Sequence, residues 1–123
     1  MEALGVHALS MHRVEIEHSS GVVLITARGE LDAFAAPDLA RALGEVAPGQ
    51  RVVVDLDAVS FLDSTALGVV VRTLREIDER GDASRIVLPK GPARRIFEIT
   101  TLDRVLPVES SRAQALAAVT PPA

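Results

Sequence analysis

The chain has 123 residues, 48% hydrophobic and 24% charged, a size and balance that suit one soluble domain with its own core. It has no cysteine, which excludes disulfides, thiolate metal sites and cysteine nucleophiles. A net charge of −4 and a 2% aromatic share disfavour nucleic-acid binding, which needs a basic footprint and stacking residues, and leave a protein partner open.

Residues 1–11 carry no pattern and read as a flexible leader to a domain spanning 12–119. Met1-Glu2-Ala3-Leu4-Gly5 lacks the layout of a secretory signal and no apolar run approaches a membrane span, so the expected address is cytoplasmic, without membrane contact. Val14 and Ile16 alternate with Arg13, Glu15 and Glu17, the period of a half-buried strand. The turn signal Ser19-Ser20-Gly21 and the apolar run Val22–Ala27 follow, which together predict a hairpin that ends at Gly29-Glu30-Leu31-Asp32. Pro37 and Asp38 suit the first turn of a helix carrying Leu39, Leu43 and Val46, and Pro48-Gly49 stops it.

Val52-Val53-Val54 predicts a strand covered on both faces. A short loop is expected to carry the chain from that strand to Asp63-Ser64, where the next helix starts. Leu67, Val70, Val71, Leu74 and Ile77 form its apolar stripe, Arg72, Arg75, Glu76 and Glu79 its polar side, and Gly81 its stop. Ile86-Val87-Leu88 reads as a fourth strand, Ala93–Ile99 after Pro92 as a short helix, and Val105-Leu106-Pro107-Val108 as a last, edge-like strand. Ser111 with Gln114 resembles a capping box for a final helix through Leu116 and Val119, and residues 120–123, with Pro121-Pro122, form a tail. The order ββαβαβαβα predicts a single α/β domain with a mixed, mostly parallel sheet of about five strands and about four helices.

Asp63-Ser64 places a hydroxyl at a helix N-terminus, where backbone N–H groups lack partners and added negative charge is favoured. From the residues alone this fits both a phosphorylatable switch and an ordinary serine cap. Asp63 fits an interaction with the helix N-terminus, Thr65 a first-turn residue, Asp32 a turn or cap, and Lys90-Gly91 an ordinary loop at the end of a strand. Phe34, Phe61 and Phe97 read as core, Arg94-Arg95 as a solvated helix face. His7, His12 and His18 lack metal-ligand spacing and receive no role. No Walker-type phosphate loop, Gly-x-Ser-x-Gly elbow or paired-carboxylate site is present, so neither an enzyme nor a cofactor is expected.

Three features in this order and spacing resemble the STAS family, in particular its bacterial anti-sigma factor antagonists. They are Gly29-Glu30-Leu31-Asp32, then Phe61-Leu62-Asp63-Ser64-Thr65-Ala66-Leu67-Gly68 before a helix ending at Arg80-Gly81, then Pro92 leading to Ile96-Phe97 and Leu102. The resemblance implies a partner-switching cycle. The unphosphorylated protein binds an anti-sigma factor, a serine kinase of the histidine-kinase-like ATPase type, and a sigma factor is released. The kinase phosphorylates Ser64, binding ends, and a PPM-type phosphatase resets the protein. It further implies a partner-binding rim of Asp32, Asp63, Ser64, Thr65, Leu67, Lys90 and Gly91, with Thr65 a secondary phosphorylation position. Ala66 stands where many members carry Gly, a change that stiffens the first helical turn. An alternative within the family is an accessory or ligand-sensing subunit of a transporter or lipid-trafficking complex.

Overall fold

The structure is a computed structural model that describes residues 11–88 and 90–120; apart from Met11 and Thr120, the expected leader and tail lie outside the described residues. Strand β1 (His12–Ser19) turns through Ser20-Gly21 into β2 (Val22–Leu31). Both turn residues have positive φ, +51° and +81°, as the two-residue hairpins that match strand twist require. The strands β2, β3 (Arg51–Leu62), β4 (Ser84–Val87) and β5 (Val108–Glu109) run parallel, and β1 lies antiparallel on the edge. Sheet order equals chain order, β1-β2-β3-β4-β5. Crossovers of one hand therefore bring α1 (Ala36–Gly44), α2 (Ser64–Glu79) and α3 (Pro92–Ile99) to one core on one face. The last helix, α4 (Arg112–Val119), packs Ala115 and Val119 on Val22, Val53 and Val87 of the opposite face. Among the described residues no helix is long and apolar enough to cross a membrane.

Several expectations are corrected. The chain from Val54 to Leu62 is strand, not loop: β3 stays paired to β2 as far as Leu31↔Leu62. It does so through two register shifts, between Thr26↔Asp55 and Arg28↔Ala58 and between Gly29↔Val59 and Glu30↔Phe61. Each shift inserts a residue into β3 and reverses which side faces the core. Val52, Val54, Leu56, Val59 and Leu62 all join one core in consequence, whereas Phe61 turns to the other face and is 50% exposed. Phe34 is also not core. It lies in the turn before α1, 77% exposed, and Ala35 and Ala36 are buried in its stead; only Phe97 is interior. The last strand shrinks to Val108–Glu109, because Val105 follows a 3-10 turn (Leu102–Arg104) and points to solvent. Val46 lies beyond the end of α1 but is still buried. The Arg94 side chain is half-buried, its Nη1 donating to the Leu88 carbonyl, and only Arg95 fits a solvated face. Ser111 caps α4 as expected, its Oγ accepting the Gln114 N–H at 3.2 Å.

Two local features hold β1 in place. Gly29 has φ +82°, and a Cβ there would stand 2.1 Å from the Met11 carbonyl oxygen. That oxygen accepts the Glu30 N–H at 3.0 Å, so it cannot retreat without losing a bond. Gly29→Ala is expected to cost about 2 kcal/mol or more, from the left-handed backbone and the clash together; an unchanged urea midpoint would refute this.

His12, given no role above, places Nε2 2.8 Å from Asp38 Oδ2 on α1, and Arg41 donates to Asp38 Oδ1 at 3.1 Å. These bonds, that of His12 first, hold the Asp38 carboxyl below its ordinary value of 3.8 despite partial burial. A depressed carboxyl contributes stability that is full above its unfolded pKa and is lost as pH falls through the folded one. The difference in melting temperature between the wild type and Asp38→Asn should therefore shrink as pH falls from about 5 to about 2. A difference that stays constant over that range contradicts the assignment.

Candidate functional site

The head of α2 is built by Asp63, not by Ser64. Asp63 is extended (φ −92°, ψ 176°), its carboxylate accepts the Ala66 N–H at 3.0 Å, and its carbonyl accepts the Leu67 N–H at 2.9 Å. The cap that serine was able to supply is thus made one residue earlier. Ser64 is the first helical residue; it is exposed, and no hydrogen bond holds its hydroxyl among the described residues. The N–H groups of Ser64 and Thr65 precede any helical acceptor, and the 16-residue helix behind them directs its positive end at this point.

The rim around Ser64 is assembled by the ends of β2 and β3. The Asp63 N–H donates to the Leu31 carbonyl at 3.0 Å, which brings Asp32 beside the head of α2. Asp32 Oδ1 accepts from Phe34 N–H at 3.0 Å and Ala35 N–H at 3.2 Å, so it organises the turn into α1, as its turn reading expects. Thr65 is exposed next to Ser64. Leu67 is half-buried and, with Ser64, Val71, Arg72 and Arg75, lines an open groove of about 520 Å³ down α2, closed on one side by Leu102. Ser64 and Leu67 therefore share one groove, with Thr65 exposed beside Ser64 and Asp32 following the β2 end to which Asp63 is bonded.

Lys90 and Gly91 do not line that groove. β4 ends at Val87, opposite Asp55, while β3 continues to Leu62, so the loop after β4 starts well short of the β3 tip. Both residues line a separate groove with Arg94, Arg95 and Glu98. Phe34 and Phe61, expected in the core, are instead exposed at the C-terminal ends of β2 and β3, Phe34 in the turn after β2 and Phe61 on the sheet face away from α2. Segments 29–35 and 57–66 carry Glu30, Asp32, Asp57 and Asp63 and no Lys or Arg, whereas the groove down α2 from Ser64 is lined by Arg72 and Arg75 as well as Glu76 and Glu79. Arg28, the nearest cation in sequence, lies 3.6 Å from Glu15.

Fold and site together define a single α/β domain with a mixed five-stranded sheet and a central helix headed by an open serine. The STAS domain family matches residues 13–115, and the chain belongs to that family. It is similar to an anti-sigma-B factor antagonist of Listeria monocytogenes, 35% identical over 76% of this chain and 84% of the relative. An anti-sigma F factor antagonist of Paenibacillus polymyxa is 27% identical over 85% of this chain and 92% of its own. Among solved structures, an anti-sigma factor antagonist from Mycobacterium paratuberculosis superposes with a TM-score of 0.79 at 30% identity, covering 88% of this chain and 93% of that one.

Proposed function

We propose that this protein is a cytoplasmic anti-sigma factor antagonist switched at Ser64. Unphosphorylated, it binds an anti-sigma factor that is also a serine kinase of the histidine-kinase-like ATPase type, and so frees a sigma factor. The kinase transfers the terminal phosphoryl group of ATP to Ser64 Oγ, giving ADP, the phosphoserine and a proton. A PPM-type phosphatase hydrolyses the ester and restores the binding form. Asp32, Asp63, Thr65 and Leu67 frame the contact around Ser64. Lys90 and Gly91 extend it only if the partner also spans the second groove. The protein acts as substrate and binding module, not as a catalyst.

One observation carries this reading. The Ser64 hydroxyl is exposed and, among the described residues, unbonded at the head of α2, where Asp63 makes the cap. A serine kept only for helix capping would have its oxygen engaged. The phosphate brings close to two negative charges and three acceptor oxygens to a rim already lined by Asp63 and Asp32. In the complex that dianion would stand at the centre of the contact, stripped of water and close to the ADP left by the transfer. The test is incubation with the cognate anti-sigma factor and ATP, read by intact mass. A gain of one phosphoryl group that Ser64→Ala abolishes supports the reading; an unmodified wild type refutes it.

A further inference from the structure

We infer that Phe34 and Phe61 are the apolar anchors through which this protein grips its anti-sigma partner, and that the partner offers them an apolar socket edged by lysine or arginine. The inference rests on the Ser64 reading above and extends it. The chain has three phenylalanines and no tyrosine or tryptophan. Its core takes Phe97, yet Phe34 and Phe61 are left 77% and 50% exposed. Single exposed aliphatic residues are common, but two of three aromatic rings left exposed at the C-terminal ends of neighbouring strands are not explained by folding.

Both rings are held on rigid backbone. The Phe34 N–H is fixed by the Asp32 carboxylate at 3.0 Å, and Phe61 lies in β3 paired to Glu30. Little conformational freedom is then lost when a partner covers them. The second register shift in β3 is what turns Phe61 outward, and α4 packs on Val22, Val53 and Val87, none of them beyond the level of Asp55 in the sheet, so it leaves that ring half exposed. The bond from Asp63 N–H to the Leu31 carbonyl joins the two segments that carry the rings and Ser64.

The occupant follows from position and charge. Phe61 is next to last in β3 and Ser64 opens α2 just beyond it, so a partner surface that reaches the Ser64 hydroxyl and extends past the strand end meets the ring. The segments that carry the rings hold Glu30, Asp32, Asp57 and Asp63 and no cation, which selects a partner surface with basic residues about its socket. Aromatic side chains seated in a desolvated centre with charges outside it are the usual distribution of binding energy at protein interfaces.

The test is isothermal titration of the anti-sigma factor that phosphorylates Ser64 against the wild type, Phe34→Ala, Phe61→Ala and the double variant, with thermal melts of each. Each single change should weaken binding about tenfold or more and the double change about hundredfold, with melting temperatures unchanged. Wild-type affinity should also fall as salt rises from about 50 to about 500 mM. Should the double variant melt early, Phe34→Ala, at the more exposed ring, carries the comparison alone. Ser64→Glu losing affinity while the ring variants bind like the wild type would overturn this inference and leave the switch standing. Affinity indifferent to salt would overturn the basic-edged socket. Rings that instead join two copies, seen as a dimer that the double variant breaks with partner affinity unchanged, would overturn it too. A wild type that is neither bound nor phosphorylated would overturn both readings.

Discussion

Ser64→Glu should weaken binding to the anti-sigma factor by at least about a hundredfold, roughly 3 kcal/mol, and Ser64→Ala should bind as tightly as the unmodified protein, with or without ATP. The asymmetry follows from geometry. The Ser64 oxygen makes no hydrogen bond among the described residues, so its removal takes nothing from their stability. A carboxylate there sits beside Asp63, which already occupies the open end of α2 through Ala66. The helix end then has less to offer a second anion, and the contact must desolvate a charge it was shaped to do without. Glutamate carries one charge where phosphoserine carries nearly two, so the mimic gives the lower bound of the effect. Its melting temperature should stay close to that of the wild type, which separates loss of binding from loss of fold. Equal affinity for Ser64→Glu and wild type would remove charge as the basis of the switch.

Arg112→Met should lower stability by about 3 kcal/mol in urea denaturation. Asp55 is buried in the middle of β3, 3% exposed. Arg112, at the start of α4, donates from Nε to Asp55 Oδ2 at 2.7 Å and from Nη2 to Thr26 Oγ1 at 3.1 Å. The other carboxylate oxygen accepts the Asp57 N–H at 2.8 Å, across the first bulge of β3. Without the guanidinium, one buried anion keeps a single donor, and α4 loses its tie to β2 and β3. The Arg112 side chain is 41% exposed, so water can partly replace it, which places the cost at the lower end for a broken buried pair. Pairing Arg112→Met with Asp55→Leu removes both charges and should recover most of the loss. A single variant within about 1 kcal/mol of the wild type, or a double variant no better than the single, would contradict this role.

Periodicity in the chain was enough to read the hairpin, the α/β alternation and the stripe of α2, because each depends on neighbours in sequence. Ser64 was legible for the same reason, as a polar residue between an apolar strand and an apolar-faced helix. Phe61 was not. Its outward direction comes from two register shifts in β3, and a bulge shows itself only against the partner strand. Phe34 misled because a large apolar side chain beside a helix start is normally interior, whereas here Ala35 and Ala36 fill that space. Which of Asp63 and Ser64 caps α2 turned on the backbone angles of one residue, and both types cap well. Arg112 and Asp55, and likewise His12 and Asp38, come together only through the topology of the sheet and carry no local signature.

The most direct measurement is the affinity of one preparation for its anti-sigma factor before phosphorylation, after complete phosphorylation, and after treatment with a PPM-type phosphatase. Tight binding that falls by about a thousandfold with the ester on Ser64, near 4 kcal/mol, and returns on its hydrolysis is the expected result. Fully phosphorylated protein that still binds as tightly as the unmodified form would contradict the account at its root.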